Sequence, residues 1–119
     1  MKYTDKEKEY MKTDDEYREP RESIECEDGF IMSVQANQHA YCTPRENDCR
    51  WYGAVEVGFP SEQEELLMPW IEVYDGDIGP TDTVYPYTPA KVIIDVIVKH
   101  GGMVSGELPP LKTEQDEEE

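Results

Sequence analysis

The stretch that most constrains the fold is a short, very apolar helical segment near the end of the chain. Thr88 is a good N-cap, Pro89 suits the first helical position, and Gly101 suits the left-handed position that ends a helix after His100. Apolar side chains cover about two-thirds of its circumference, whereas a surface helix needs an apolar arc of only about 100°. The predicted helix 89–100 must therefore be covered on both flanks, either by a sheet and a second helix or by a second subunit.

Upstream of this helix, alternating apolar and polar residues predict an antiparallel sheet. The segments Ser23–Glu27 and Phe30–Ala36 flank Asp28-Gly29, a dipeptide suited to a two-residue hairpin turn with positive φ at both positions. Met103–Val104 is short and apolar enough to add an edge strand. Together these segments predict a hairpin and one further strand.

A third strand is predicted over Trp51–Phe59. Val55, Val57 and Phe59 fall on one face of it, which indicates that all three point into the core. Pro60 ends this strand, because proline cannot donate to a sheet ladder.

The residues that follow predict a second helix. Ser61 and Glu64 fit a capping box, and further carboxylates fall in the first turn, where they suit the helix dipole. Pro69 interrupts the apolar spacing, so this helix either kinks there or stops at Met68. The fold class expected over residues 22–111 is α+β: a small antiparallel sheet of three to four strands with two helices packed on one face.

The two ends of the chain are predicted to lie outside this domain. Residues 1–21 read as a charged extension, partly helical or disordered, and residues 112–119 as a disordered acidic tail whose carboxylates repel one another. The N-terminus has no apolar signal region, and no stretch approaches the ~20 apolar residues that a membrane span requires. We therefore expect a cytoplasmic protein.

The charge of the chain is strongly negative and unevenly distributed. It has 28 acidic and 11 basic residues, a formal net charge of −17. This charge argues against a nucleic-acid or anionic-membrane binder, because phosphate contacts need clustered Lys and Arg. Residues 61–87 hold seven carboxylates with no Lys or Arg among them. Such a concentration of like charge costs stability, so it points either to a solubility role or to a cationic partner.

The candidate partner-binding residues are the carboxylates of this segment and the aromatic side chains around them, a type common at interface hot spots. They are Glu62, Glu64, Glu65, Glu72, Asp75, Asp77, Asp82, Trp70, Tyr74, Tyr85 and Tyr87. Carboxylates at i and i+4 on a helix stand ~6 Å apart, a spacing comparable to that of successive phosphates on one nucleic-acid strand. The hypothesis is that this face occupies a Lys/Arg channel meant for DNA or RNA; the competing interpretation is an ordinary solvated acidic surface.

The cysteines leave one metal hypothesis open. Cys26, Cys42 and Cys49 are an odd number in a chain without a signal peptide, which disfavours a disulfide framework. With His39 they could supply four zinc ligands of the right chemical type. The spacing lacks a tight Cys-x2-Cys pair, so buried or free thiols are the favoured interpretation. No catalytic residue, cofactor or metal is predicted.

Several strings resemble a group of small phage and prophage proteins. They are Tyr41-Cys42-x-Pro44-Arg45, Val55-Glu56-Val57-Gly58-Phe59-Pro60-Ser61, Tyr85-x-Tyr87-x-Pro89-Ala90-x-Val92-Ile93, His100-Gly101-Gly102 and Gly106-Glu107-Leu108-Pro109-Pro110. The resemblance covers about residues 31–111 and brings no catalytic residue. Small acidic phage proteins include anti-CRISPR and anti-restriction inhibitors, some of which resemble DNA in charge.

The leading hypothesis is therefore a non-enzymatic phage protein acting in the host-cell cytoplasm. It would inhibit a host defence complex of CRISPR or restriction type by binding a basic nucleic-acid-binding protein through its acidic surface. The first alternative is a structural or accessory phage protein, dimeric through helix 89–100, whose acidity serves solubility. The second is a small zinc-binding module.

Overall fold

The computed structural model describes residues 20–72 and 78–112, which form a five-stranded antiparallel sheet with one α-helix packed against it. The elements are β1 (Ile24–Cys26), β2 (Ile31–Gln35), β3 (Ala54–Gly58), a 3-10 turn (Met68–Trp70), β4 (Val84–Pro89), α1 (Ala90–Lys99) and β5 (Met103–Ser105). The strand order is β4-β3-β2-β1-β5. The prediction of three to four strands with two helices is therefore wrong, since the sheet has five strands and the described residues hold a single α-helix.

The β1–β2 hairpin has a three-residue loop, where a two-residue turn was expected. The Cys26 N–H donates to the Phe30 carbonyl at 2.8 Å, and the Gly29 N–H donates to the Cys26 carbonyl at 2.9 Å. Of the loop residues only Gly29 has positive φ, at 95°. Asp28 instead accepts the Phe30 N–H on Oδ1 at 3.0 Å. This side-chain bond favours an ordinary turn followed by a left-handed glycine.

The predicted second helix is reduced to the 3-10 turn Met68–Trp70 because its capping box does not form. Ser61 Oγ accepts the N–H of Ile31 on β2 at 3.0 Å, so the hydroxyl is engaged by the sheet. The Glu64 carboxylate turns into the protein and does not reach back to Ser61. Pro69 removes one backbone donor, and no α-helical turn is completed around it.

Helix α1 keeps its predicted end but not its predicted cap. Thr88 belongs to β4, and its Oγ1 donates to the Tyr85 carbonyl at 2.9 Å instead of capping the helix. At the other end Gly101 has φ of 94°, and the N–H groups of Gly101 and Gly102 bond back to carbonyls of the last turn. This Schellman arrangement confirms the predicted C-terminal glycine. Among the described residues, no helix has the length and apolar character needed to cross a bilayer.

The core lies on one face of the sheet, beneath α1 and the segment around the 3-10 turn. Its fully buried aliphatic side chains come from β1, β2, β3, the segment before the 3-10 turn and α1: Ile24, Met32, Val34, Val55, Val57, Leu67, Ile93 and Val96. Phe59, expected in this core, is 59% exposed and has φ of 50°, so the strand ends before it and its ring turns to solvent. That prediction is wrong.

Two residues assigned to the chain ends contact the folded domain. The Arg21 side chain is buried, and its Nη1 donates to the Ala36 carbonyl at 2.8 Å. Lys112 donates its N–H to the Tyr52 carbonyl at 2.8 Å and places Nζ 4.5 Å from the centre of the Trp51 ring. Pro20 is also described and is exposed, whereas residues 1–19 of the predicted extension and 113–119 of the predicted acidic tail lie outside the described residues.

Candidate functional site

The structure separates the predicted partner-binding residues into three groups. Those on the surface, exposed or half-buried, are Glu62, Glu65, Trp70, Glu72, Asp82 and Tyr87. Those inside the protein are Glu64 and Tyr85. Those outside the described residues are Tyr74, Asp75 and Asp77. The predicted surface therefore loses two members to the interior, each for a distinct physical reason.

Tyr85 is a core residue of β4. It is fully buried, and its hydroxyl donates to the Pro80 carbonyl at 2.5 Å. Burial raises the pKa of the Tyr85 phenol, which therefore stays neutral. An aromatic ring held in this way stabilises the sheet and does not present a surface to a partner.

Glu64 is 2% exposed and forms the centre of an internal charge network. Its Oε1 lies 2.6 Å from His100 Nε2, and its Oε2 lies 2.8 Å from Lys99 Nζ. Oε2 also accepts the Leu66 N–H at 2.8 Å. Glu64 is therefore not part of the solvent-facing acidic surface, because its charge is already neutralised inside the protein.

His100 links three separate parts of the chain through this network. Its Nδ1 lies 2.7 Å from Asp28 Oδ2 in the β1–β2 loop, while Nε2 reaches Glu64. The ring stacks on Phe30, with centroids 4.2 Å apart and planes 15° apart. Carboxylate oxygens at both ring nitrogens fit an imidazolium, which donates on both sides. We call Asp28, Glu64, Lys99 and His100 the His100 network: two anions and two cations.

The pKa values of this network shift as the geometry requires. Burial alone lowers the pKa of His100, but the hydrogen bonds and charges of Glu64 and Asp28 outweigh it and raise the pKa above its ordinary value of 6.5. For Glu64, burial raises the pKa, and Lys99, the Leu66 N–H and His100 together hold it below its ordinary value. The Phe30 N–H, followed by His100, lowers the pKa of Asp28. The shifts of Asp28, Glu64 and His100 therefore all favour the charged forms.

The stability of the protein is expected to decrease as the pH rises above about 6.5. A raised histidine pKa contributes stability that is complete below the unfolded-state pKa and is lost as the pH passes through the folded-state pKa. The lowered pKa values of Glu64 and Asp28 contribute stability that is lost in acid, as the pH falls through those values. Chemical denaturation from pH 4 to pH 9 should show a maximum in the free energy of unfolding between the acid and alkaline declines. Because one proton is released from His100, the alkaline decline should be no steeper than about 1.4 kcal/mol per pH unit.

The control for this pH dependence is His100→Gln. Glutamine hydrogen-bonds without titrating, so the variant should lose the alkaline decline while being less stable at pH 6. An alkaline decline of equal slope in both proteins would assign it to another group.

The cysteines do not assemble a metal site. The Cys42 thiol is buried and donates to the Asn37 carbonyl at 3.1 Å, and the half-buried Cys49 thiol donates to the Trp51 carbonyl at 3.3 Å. Burial raises the pKa of the Cys26 and Cys42 thiols, which favours the protonated form. Within residues 20–72 and 78–112, no three His, Cys, Asp or Glu side chains are arranged to hold a metal ion. The four ligands proposed for the zinc-module alternative are therefore not gathered at one point of the described structure.

A second arrangement, which the sequence did not indicate, lies at the surface. The Tyr41 and Tyr87 rings are 42% and 44% exposed, with centroids 6.0 Å apart and planes tilted by 38°. The Arg45 guanidinium lies 5.4 Å from the centre of the Tyr41 ring. The Tyr41 N–H donates to Glu56 Oε1 at 2.8 Å, and the Tyr87 N–H donates to the Tyr41 carbonyl at 3.0 Å. We call Tyr41, Arg45, Glu56 and Tyr87 the Tyr41 cluster.

Tyr87 holds an unusual backbone conformation in this cluster. Its φ of 55° lies in the left-handed region, which a bulky side chain rarely adopts. Tyr87 is predicted as a partner-binding residue because it is aromatic and lies beside the acidic segment, and the structure brings it next to a second exposed tyrosine from a distant part of the chain.

Comparisons with known proteins do not place this chain in a family. No protein-family profile, curated protein or solved structure matches it. The resemblance to phage proteins stays a prediction.

Proposed function

We propose that this chain is a non-enzymatic phage protein that inhibits a host defence complex of CRISPR or restriction type. In this proposal it binds a basic nucleic-acid-binding protein of the host through its acidic surface and competes with DNA or RNA for that site. The proposed contact residues are the surface members of the predicted set: Glu62, Glu65, Trp70, Glu72, Asp82 and Tyr87.

The observation that carries the proposal is the distribution of neutralised and unneutralised carboxylates. Within the described residues, Lys99 and His100 are the cations whose ion pairs reach this segment, and both pair with buried Glu64. Of the other carboxylates here, Glu62 and Glu65 are exposed, and neither has an ion-pair partner among the described residues. Surface carboxylates left uncompensated in this way attract a cationic partner and speed its association.

Glu72, which lies after the 3-10 turn, also supports the proposal. Its backbone N–H donates to the Val84 carbonyl at 3.0 Å, which fixes it beside β4. Its Oε1 is buried and has no hydrogen-bond partner among the described residues. No ion pair among the described residues neutralises this half-buried side chain, so its charge adds to the attraction of Glu62 and Glu65 for a cation.

A role in binding, as opposed to catalysis, also fits the state of the histidine best suited to proton transfer. Both ring nitrogens of His100 are held by carboxylates, and its ring is stacked on Phe30. The His100 network therefore acts as a structural tie between the β1–β2 loop, residue 64 and the end of α1.

The test is capture of host proteins on the immobilised chain, followed by elution in a salt gradient. Charge interactions between exposed groups are screened within ~8–10 Å at 0.10–0.15 M salt. We therefore expect the captured protein to bind nucleic acid, to lose affinity at least tenfold between 50 and 300 mM salt, and to release a labelled DNA or RNA when the chain is added. Capture that is insensitive to salt, or a captured protein that keeps its nucleic acid, would contradict the proposal.

Matched charge reversals locate the binding surface. Glu62→Lys with Glu65→Lys should weaken binding at least tenfold. Glu22→Lys with Glu25→Lys makes the same change in net charge at two exposed positions elsewhere and should change the affinity less than threefold. Equal effects of the two pairs would mean that net charge alone, and not this surface, attracts the partner.

A dimeric accessory protein is the second candidate, and one observation favours it. Ile94 and Val98 lie one turn apart on α1 and are 37% and 70% exposed. This apolar flank could be covered by the same flank of a second copy. Sedimentation of the charge-reversal variants distinguishes the two candidates, because a dimer through α1 would survive Glu62→Lys with Glu65→Lys.

A further inference from the structure

We propose that the Tyr41 cluster binds an arginine side chain of the partner, with the guanidinium lying against the two tyrosine rings and facing the Glu56 carboxylate. The inference rests on the proposed function, since it names the group through which a cationic partner is recognised. It adds a site that the charge pattern of the sequence did not contain.

The two tyrosines provide the aromatic surface for such a group. Their rings are tilted by 38° at 6.0 Å, and each leaves more than two-fifths of its surface to solvent. A guanidinium is attracted to the face of an aromatic ring within about 6 Å of its centre. Arg45 makes this contact with Tyr41 at 5.4 Å, and because its side chain is exposed, an arginine of the partner can displace it from the ring.

Glu56 supplies the charge that selects a cation over a neutral group. One of its oxygens accepts the Tyr41 N–H, and no hydrogen bond within residues 20–72 and 78–112 uses the other. Its side chain also lines a cleft of about 230 Å³ with Gln35, Asn37 and His39. A carboxylate bonded to the Tyr41 backbone, on the strand that pairs with the strand of Tyr87, can pair with a guanidinium by charge-assisted hydrogen bonds.

The cluster is organised before any partner arrives. The Tyr87 N–H is bonded to the Tyr41 carbonyl at 3.0 Å, although this requires the unusual φ of 55°. The backbone that carries both rings is therefore in place before binding, which lowers the entropic cost of association. Strained backbone of this kind is concentrated at binding sites.

The test uses capped arginine as the probe and the full chain with ¹³C-labelled tyrosine rings. N-acetyl-arginine amide should shift the ring signals of Tyr41 and Tyr87, and bind at least threefold more tightly than N-acetyl-citrulline amide, which has nearly the same shape without the charge. Equal binding of the two compounds, or shifts confined to other tyrosines, would overturn the inference.

Three variants complete the test. Tyr41→Leu should weaken arginine binding at least threefold, whereas Tyr41→Phe keeps an aromatic face and should stay within twofold. Glu56→Gln keeps an acceptor for the Tyr41 N–H but removes the charge, and it should also weaken binding at least threefold. If Tyr41→Leu does not fold, Glu56→Gln decides the result: unchanged arginine binding in that variant would overturn the inference.

The arginine-binding test and the capture experiment can fail independently of each other. Salt-sensitive capture of a nucleic-acid-binding protein, without a response of the Tyr41 and Tyr87 rings to arginine, would reject the arginine site alone. A specific response of these rings to arginine, without capture of such a protein, would reject the proposed function and leave the arginine site standing.

Discussion

Replacing Glu64 with alanine is expected to lower the free energy of unfolding by about 3–5 kcal/mol, the range for removing one partner of a buried ion pair. The change leaves His100 buried, still held by Asp28 but without its second carboxylate. The Leu66 N–H also loses its acceptor. Lys99 contributes less to this cost, because its side chain is 48% exposed and can return to water. Urea denaturation measures the difference at pH 6, which lies below the raised pKa of His100 and above the lowered pKa values of Glu64 and Asp28.

The adjacent residue gives the control. Glu65 is exposed and lies next to Glu64 in the chain, so Glu65→Ala removes the same chemical group from the same segment and should change stability by no more than about 0.5 kcal/mol. Similar losses in the two variants would mean that the His100 network is not what holds the loop to α1.

These two neighbouring residues also show where prediction from the sequence reached its limit. In a run of carboxylates without cations, each one looks equivalent, and Glu64 was grouped with Glu62 and Glu65. Glu64 instead pairs with His100, which lies 36 residues later in the chain. Asp28, which bonds the other nitrogen of His100, lies 72 residues before that histidine. Spacing rules that act over one or two helical turns cannot identify partners so far apart in the sequence.

Features set by local chemistry were predictable. Gly101 ends α1 because a left-handed residue is needed there, and this requirement acts over a single turn. Val55 and Val57 are buried because a period of two places them on one face of β3. Phe59 continues the same period but leaves the core, since its backbone turns to a positive φ while its N–H bonds to the Thr83 carbonyl.

Features set by competition between alternative hydrogen-bond partners were not predictable from the sequence. The capping-box pattern at Ser61 is genuine in sequence terms, yet the hydroxyl bonds to β2 and the carboxylate of Glu64 bonds to His100. The predicted helix lost both members of its cap to tertiary contacts. The same limit applies to the Tyr41 cluster, which forms only because the chain brings Tyr87 back alongside Tyr41 and Glu56.

The second large effect is expected at Gly106, where substitution by alanine should cost about 2–5 kcal/mol. Gly106 has φ of 107°, and a Cβ there would overlap the Ser23 carbonyl oxygen and lie 2.5 Å from Ile24 Cα. The positive φ alone costs roughly 1–2 kcal/mol for an L-residue, and overpacking of a close-packed site typically costs a further ~1–3 kcal/mol. Because these atoms are backbone, relief of the overlap requires β5 to move away from β1.

Two other glycines separate the two contributions in the same denaturation experiment. Gly29 has φ of 95° with open space around it, so Gly29→Ala should cost only the backbone term, about 1–2 kcal/mol. Gly53 has open space and no left-handed φ, so Gly53→Ala should be neutral or stabilise by up to about 1 kcal/mol. A loss at Gly106 no larger than that at Gly29 would contradict the close approach of the two backbones. A larger loss would mean that the edge of the sheet depends on a contact that only glycine permits.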